Sequence, residues 1–214
     1  MRAFTAVSVA LAIFGGLSAL PATASADQEL IAPWARTTPV MPVDNFTALI
    51  AYAFGYAQSG STFTPGTINE QLADTVVATL GNRSIPVYAQ TEIAEVLKSK
   101  YGMRGVISVG AATMAEVESQ NPRTQGVAQT VANQRATTKA TDVIGVIAFQ
   151  DHLWRATQTT RSVGFHAYAP KGISMPNVYA ADNTQDETRT PDVYRPIDTV
   201  ACLPFLIMGG SSGL

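Results

Sequence analysis

Two long apolar runs constrain the fold of this chain more than any other feature of its sequence. Residues 47–54 and residues 142–149 are apolar nearly throughout, with a polar residue only at the start of each run. A strand with apolar side chains on both sides of its pleat must be covered on both faces, which is typical of a parallel sheet with crossover helices. The two runs therefore predict buried strands of a parallel sheet.

Amphipathic helices alternate with the apolar strands. Ile68, Leu72, Val76 and Leu80 recur every four residues, which predicts a helix over Thr67–Leu80. Further strands are predicted at residues 85–89, 105–109 and 165–168, and further helices at residues 92–101, 125–139, 151–162 and 193–207, the last one interrupted by Pro196 and Pro204. This alternation predicts an α/β fold, a three-layer Rossmann-like sandwich with a mainly parallel sheet.

The N-terminus has the layout of a secretory signal peptide. Residues 1–26 contain Arg2, an apolar run and the small residues Ala24, Ser25 and Ala26. We expect cleavage before Asp27 and export to the periplasm, cell envelope or extracellular space, with no integral membrane span left after cleavage. If the segment is retained, it would act as an N-terminal membrane anchor.

The remaining chain reads as one domain with two irregular ends. Residues 27–46 contain three prolines and are predicted to be an irregular lead-in, residues 47–208 form a single domain, and residues 209–214 form a flexible tail. Residues 170–191 are rich in Asn, Asp, Thr and Pro and are predicted to be a surface excursion.

Composition excludes several classes of function. Removal of Arg2 with the signal peptide changes 14 basic and 16 acidic residues to 13 and 16, a net charge of −3, which does not suit a nucleic-acid surface. With only His152 and His166, the sequence predicts no histidine-rich metal centre, and it identifies no cofactor. Cys202 is the only cysteine and lies among apolar neighbours, so we expect a buried structural thiol.

The strongest candidate for chemistry follows the late apolar run. If a strand ends near Phe149 and a helix starts near Asp151, His152 and Arg155 share one helical face beside the positive end of that helix. His152 could act as a general acid or base, and Arg155 offers a planar fork for phosphate or carboxylate. The alternatives are a histidine that only caps or packs and an arginine in a surface ion pair with Asp151 or a nearby acid. Asp151 is predicted to cap the helix.

Other polar residues follow the predicted strands. Gly55 follows the first strand, and Glu116, Ser119 and Asn121 follow the third. Ligands of parallel sheets bind beyond the carboxyl ends of the strands, so these residues are candidates for orienting a ligand. The alternative for the second group is a polar turn closed by its own side-chain hydrogen bonds.

The order of these pieces resembles a known bacterial envelope domain family. Gly55, the Thr64-Pro65 step, the stretch from Glu116 to Pro122, and the stretch from His152 through Arg155 to Ala156 are similar to the motifs of the family represented by YdcF, SanA and ElyC. The likeness spans residues 48–170. Pro122 departs from it, since the family usually has threonine there. The resemblance implies a Rossmann-like sandwich and a role in the cell envelope. The ligand that it suggests is peptidoglycan or one of its lipid-linked precursors.

These observations lead to two expectations for function. The first is an exported domain that binds a phosphorylated or otherwise anionic envelope metabolite, with hydrolysis or group transfer at phosphate if it turns over. His152 is then the catalytic residue, and the ligand is bound by Arg155, Glu116, Ser119, Asn121 and Gly55. The second is a non-catalytic envelope interaction domain with an exposed apolar patch near residues 200–207.

Overall fold

A computed structural model describes residues 36–120 and 122–209. The strands are β1 (Val40–Met41), β2 (Ala48–Ala51), β3 (Ala57–Ser59), β4 (Thr62–Thr64), β5 (Val87–Gln90), β6 (Ile107–Val109), β7 (Val143–Ile147) and β8 (His166–Pro170). The helices are α1 (Thr67–Leu80), α2 (Thr91–Ser99), α3 (Val117–Gln120), α4 (Thr124–Gln134), α5 (Gln150–Ser162) and α6 (Pro191–Gly209). The helix predicted over Thr67–Leu80 is confirmed, and the other predicted elements are present with shifted ends.

Six of the strands form one sheet in the order β1-β8-β7-β2-β5-β6, and every neighbouring pair is parallel. The chain runs outward from β2 through β5 to β6, then crosses back to start β7 on the other side of β2. The predicted α/β fold with a Rossmann-like, mainly parallel sheet is confirmed. The reversal of strand order between β2 and β7 makes the carboxyl ends of these two strands the place where such sheets bind ligands.

The core lies on both faces of the central strands. Leu49, Ile50 and Ile147 have no exposed surface, because helices cover each face of the sheet. Leu72 and Val76 of α1 are also fully buried, as the four-residue spacing in the sequence requires. Burial of such side chains stabilises the fold by about 1.5–3 kcal/mol for each fully buried aliphatic residue.

An arginine–aspartate pair closes the amino end of β7. Arg135 donates from Nε and Nη2 to the two carboxylate oxygens of Asp142, each at 2.6 Å. Thr138 and Thr47 donate to the same carboxylate at 2.7 and 2.9 Å. Burial opposes ionisation of Asp142, but these donors, Arg135 first among them, lower its pKa. The pair fixes the segment after α4 to the start of β7.

Two differences from the sequence prediction concern short strands. The segment 27–46, predicted to be irregular, contributes β1 to the edge of the sheet beside β8. Residues 56–66, for which the sequence predicts no strand, contain the antiparallel hairpin β3–β4. Its turn at Gly60 has a φ of +62°, a conformation that suits glycine.

The C-terminal helix is longer than predicted. α6 continues through Pro196 and Pro204 and ends at Gly209, so the predicted tail loses its first residue to the helix. Pro196 is exposed, and solvent can satisfy the carbonyl that it leaves without a helical partner. The remaining tail residues 210–214, the signal-peptide prediction for residues 1–26 and the first part of the lead-in lie outside the described residues.

The excursion between β8 and α6 folds back over the carboxyl end of the sheet. The amide of Thr184 donates to the carbonyl of Tyr56 at 2.7 Å, and Asn183 is 5% exposed. The segment predicted to run over the surface therefore covers the loop that follows β2.

No helix within residues 36–120 and 122–209 is both long enough and apolar enough to cross a membrane.

Candidate functional site

The start of α5 places the predicted site residues. Phe149 has an extended backbone and α5 begins at Gln150, whose amide donates to the carbonyl of Pro176 at 2.8 Å. The carboxylate of Asp151 instead accepts from the Tyr179 hydroxyl at 2.8 Å and from Arg195 Nε at 2.9 Å. The prediction that Asp151 caps the helix is wrong, because no side chain caps this end and the excursion supplies an acceptor for its first amide.

Arg155 joins three helices through its guanidinium. Its Nε donates to Asp198 Oδ1 of α6 at 2.5 Å, its Nη2 to the Tyr194 hydroxyl at 3.1 Å, and its Nη1 to Thr124 Oγ1 of α4 at 3.1 Å. Tyr194 donates in turn to Asp198 Oδ1 at 2.9 Å. We call Arg155, His152, Thr124, Tyr194 and Asp198 the Arg155 cluster. Arg155 does form an ion pair, but with the buried Asp198 and not at the surface with Asp151, which pairs with Arg195.

His152 lies at the centre of this cluster. The residue is 3% exposed, and its Nε2 is 3.3 Å from Thr124 Oγ1. Its Nδ1 is 3.8 Å from Asp198 Oδ1, beyond hydrogen-bond range, and has no hydrogen-bond partner among the described residues. The prediction that His152 and Arg155 share one face is confirmed, since both contact the hydroxyl of Thr124.

Burial and neighbouring charges set the protonation of the cluster. Burial lowers the pKa of His152 to about 4, and the positive charge of Arg155 acts in the same direction. Burial would raise the pKa of Asp198, but its contacts with His152 and Arg155 outweigh burial and lower the value to about 2. At neutral pH the cluster therefore holds a guanidinium, a carboxylate and a neutral imidazole.

The hydrogen-bond network assigns the tautomer of His152. Arg155 already donates to the oxygen of Thr124, so the hydroxyl hydrogen of Thr124 is available to His152 Nε2. The ring proton then resides on Nδ1 and faces Asp198. A neutral imidazole that accepts from a hydroxyl, with a carboxylate behind it, can act as a general base, and the adjacent guanidinium can hold an anion.

The predicted residues after β6 that the structure describes are not bonded to the Arg155 cluster. Glu116 closes the 3-10 turn Met114–Glu116, and Ser119 is an exposed residue of α3 whose hydroxyl donates to the carbonyl of Glu116 at 3.2 Å. Asn121 lies outside the described residues. Within residues 36–120 and 122–209, no hydrogen bond or ion pair connects Glu116 or Ser119 to the Arg155 cluster. The bond between Ser119 and Glu116 fits the alternative of a self-closing polar turn.

Gly55 leaves space for the side chain of Asn183. Its φ is +69°, and a Cβ atom at this position would lie 2.2 Å from Oδ1 of Asn183. Asn183 Nδ2 donates to the carbonyl of Phe54 at 3.2 Å. The crevice beside it at the start of α1 has no volume that a water-sized sphere can enter. The amide of Asn183 thus fills the position where the sequence predicted a ligand beside Gly55.

A larger cleft of about 490 Å³ opens between the β4–α1 connection, α2 and the turn after β6. It is lined by Phe63, Thr64, Pro65, Glu95, Ala112, Thr113, Met114 and Ala115. Glu95 is the one charged residue among these described lining residues. The cleft therefore offers an apolar and acidic surface, which does not suit an anion.

Three members of the Arg155 cluster were missed by the sequence prediction. Tyr194 and Asp198 lie four residues apart on α6, and Thr124 is the first residue of α4. The spacing of Tyr194 and Asp198 would place them on one helical face, but nothing in the sequence connects that face to a helix about 40 residues earlier.

The comparisons with known proteins leave the site to be interpreted from its geometry. No protein-family model matches the chain, and searches of curated proteins and of solved structures find no match. Within residues 36–120 and 122–209, no group of three or more His, Cys, Asp or Glu side chains is placed to hold a metal ion.

Proposed function

We propose that this chain is an exported envelope domain of the kind represented by YdcF, SanA and ElyC, and that it binds a phosphorylated or otherwise anionic metabolite at the Arg155 cluster. The observation that carries the proposal is the contact of Arg155 and His152 with one hydroxyl, that of Thr124, at the carboxyl end of β7. A guanidinium that donates and a neutral imidazole that accepts at one hydroxyl are suited to phosphate chemistry. The resemblance in sequence supports the envelope location.

The proposed reaction is hydrolysis or group transfer at phosphate. Arg155 holds two phosphate oxygens, and His152 accepts the proton of the attacking water or hydroxyl at Nε2. The new oxygen–phosphorus bond forms as the bond to the leaving oxygen breaks, and His152 returns the proton to that oxygen. The pKa of about 4 keeps the imidazole unprotonated, and so able to act as a base, at neutral pH.

Binding is best tested with a variant that keeps the charge of residue 155. Arg155→Ala would leave Asp198 buried without its cation, so a loss of binding could reflect unfolding. Arg155→Lys keeps the charge and removes the planar fork. In titration calorimetry with inorganic phosphate, we expect Arg155→Lys to weaken binding by about tenfold or more, and Arg104→Lys, at an exposed position, to bind as the wild type does. No phosphate binding by the wild type would contradict the proposal.

Turnover has a separate test. His152→Gln keeps an amide near the position of Nε2 but cannot accept the proton. We expect hydrolysis of p-nitrophenyl phosphate to fall by at least about 100-fold in this variant while phosphate affinity stays within about threefold. An unchanged rate would remove His152 from the reaction and leave only the binding role.

Export is tested on the mature N-terminus. Expression with the complete N-terminal segment, followed by mass spectrometry of the cell fractions, should detect a chain that begins at Asp27 outside the cytoplasm. A chain that still carries residues 1–26 in the membrane fraction would instead favour the N-terminal anchor.

A second candidate function is a non-catalytic interaction domain, and the outer face of α6 favours it. Val193, Ile197, Val200, Leu203 and Ile207 are 44–76% exposed. Their spacing places them along one side of the helix, and exposed apolar stripes of this kind mark interaction sites. The expected occupant is an apolar surface of another envelope protein.

Native mass spectrometry separates the two functions. An interaction domain should be recovered without a bound small molecule, and Val200→Asp should abolish its association with a partner without changing its stability. Val178→Asp, at a residue that is 70% exposed outside α6, is the matched control. A copurified phosphorylated molecule whose retention depends on Arg155 would favour the first proposal.

A further inference from the structure

The inner face of α6 is polar, which is unusual for a helix packed on a domain. Tyr194, Asp198 and Cys202 are the buried residues in the part of α6 from residue 191 to residue 207, and they recur every four residues. Asp198 bonds to Arg155 and Cys202 Sγ lies 3.5 Å from Asp198 Oδ2, while the half-buried Arg195 bonds to Asp151 of α5. This helix is held on the domain by these charged and hydrogen-bonding groups together with the ring of Tyr194, which packs in the core against Phe54.

The carboxylate of Asp198 presents to Arg155 the oxygen acceptors that an anionic ligand would present. Its side chain has no exposed surface, and its carboxylate accepts from Arg155 and from Tyr194. It lies 3.8 Å from His152 Nδ1, the ring nitrogen without another hydrogen-bond partner in the described part of the chain. A carboxylate and a phosphate present the same paired oxygen acceptors to a guanidinium.

We propose that Asp198 occupies the anion position of the Arg155 cluster as an internal substitute for the ligand, and that α6 is a lid which must move for an anion to bind. This inference rests on the proposed function, since it concerns access to the same site. The expected ligand carries an anionic group with paired oxygens that accept hydrogen bonds from Arg155, either a phosphate monoester or a carboxylate.

The attachment of α6 is suited to such movement. Its exposed apolar residues lie on the outer face, and displacement would remove the core contact of Tyr194, whose ring centroid lies 4.7 Å from that of Phe54. The bond lost between Arg155 and Asp198 is replaced by the bond between Arg155 and the incoming anion.

The movement can be measured without a variant. Hydrogen–deuterium exchange of the wild-type protein is compared in inorganic phosphate, in acetate, and in chloride of equal ionic strength. We expect faster exchange in residues 191–209 and slower exchange at the starts of α4 and α5 in phosphate, and the acetate arm shows whether a carboxylate is accepted. Slower exchange at α4 and α5 with unchanged α6 would overturn the lid and leave the anion site intact. No change in any segment would contradict both.

A variant of Asp198 gives an independent test. Asp198→Asn keeps the shape of the side chain and removes the charge that competes with the ligand, so phosphate affinity should rise by about tenfold or more. Asp192→Asn removes the same charge from an exposed position on the same helix and should leave affinity unchanged. Phosphate that binds wild type and Asp198→Asn equally, with both depending on Arg155, would exclude the internal substitute. Circular dichroism below the melting transition verifies that the variant is folded.

Discussion

An arginine–aspartate pair lies at each end of β7, and the two pairs differ in ways that separate structure from function. Arg135 binds both oxygens of Asp142 with two donors, and the two residues are seven positions apart. Arg155 binds Asp198 through Nε alone and uses its other nitrogens on Tyr194 and Thr124. The second pair spans 43 positions and connects separate helices.

The difference lies in how completely each carboxylate is bound. Asp142 accepts from Arg135 and from two threonine hydroxyls, which is a closed structural arrangement. Asp198 lies beside His152, whose Nδ1 has no hydrogen-bond partner in the described residues, and it belongs to a helix whose buried face is largely polar. The first pair fixes the fold, and the second has the composition of a site that can exchange its carboxylate for a ligand.

The largest expected effect is on stability, and it should be similar for the two pairs. Arg155→Ala and Arg135→Ala each leave a buried carboxylate without its cation, which costs about 3–5 kcal/mol in the free energy of unfolding. Urea denaturation measures this cost, and Arg104→Ala at an exposed position should stay within about 0.5 kcal/mol of wild type. A loss below about 1 kcal/mol for Arg155→Ala would show that Asp198 is not held by this contact.

The pH dependence of stability should separate the pairs, because only the Asp198 pair includes a histidine. The folded state lowers the pKa of His152 from 6.5 to about 4, so the unfolded chain binds a proton first as the pH falls. Stability contributed by this group is complete above pH 6.5 and is lost between pH 6.5 and about pH 4, by about 3 kcal/mol.

Urea denaturation at pH 7, 5 and 4 measures this loss. In His152→Gln, the free energy of unfolding should no longer show this loss between pH 6.5 and about pH 4. In His166→Gln, at an exposed imidazole, the loss should remain. Equal slopes in wild type and His152→Gln would contradict the buried, neutral imidazole.

Residues 170–191 cover the loop that follows β2, and disturbing this packing should have a smaller effect on stability. Gly55 and Gly102 both have positive φ, at +69° and +63°, but only Gly55 has another residue where a Cβ would lie. Gly55→Ala should therefore be less stable than Gly102→Ala by about 1–3 kcal/mol, the cost of overpacking beside Asn183. Equal losses in thermal unfolding would show that Asn183 does not fill this position.

The smallest expected effect concerns the open cleft. Glu95 is exposed, so Glu95→Gln should change the free energy of unfolding by no more than about 0.5 kcal/mol. Phosphate affinity in calorimetry should also stay within about twofold, because an acidic and apolar cleft does not hold the anion. A gain of about tenfold would place the anion in the cleft and not at Arg155.

The sequence predicted the sheet and most helices because these depend on periodicity. The runs that became β2 and β7 are apolar on both sides of the pleat, and Ile68, Leu72 and Val76 fix the buried face of α1. The shared face of His152 and Arg155 also follows from their spacing of three residues.

The partners of these residues could not be predicted because they depend on tertiary packing. Asp198 reaches Arg155 only through the path of the excursion and α6, and no local pattern specifies that path. The cap predicted for Asp151 failed for the same reason, since the Pro176 carbonyl arrives from outside the helix. The convergence of Glu116 and Ser119 with this cluster was predicted from their place after β6 and from the family resemblance, and neither specifies which side chains form hydrogen bonds.

The most direct test of the central claim compares the two arginines in one experiment. Both Arg155 Nε and Arg135 Nε donate to buried carboxylates, so each Nε–Hε group should give a resolved signal in a ¹H–¹⁵N spectrum. During a titration with inorganic phosphate at constant ionic strength, the Arg155 signal should move and saturate while the Arg135 signal stays in place. An Arg155 signal that does not move, or two signals that move together, would contradict an exchangeable anion site at the carboxyl end of β7.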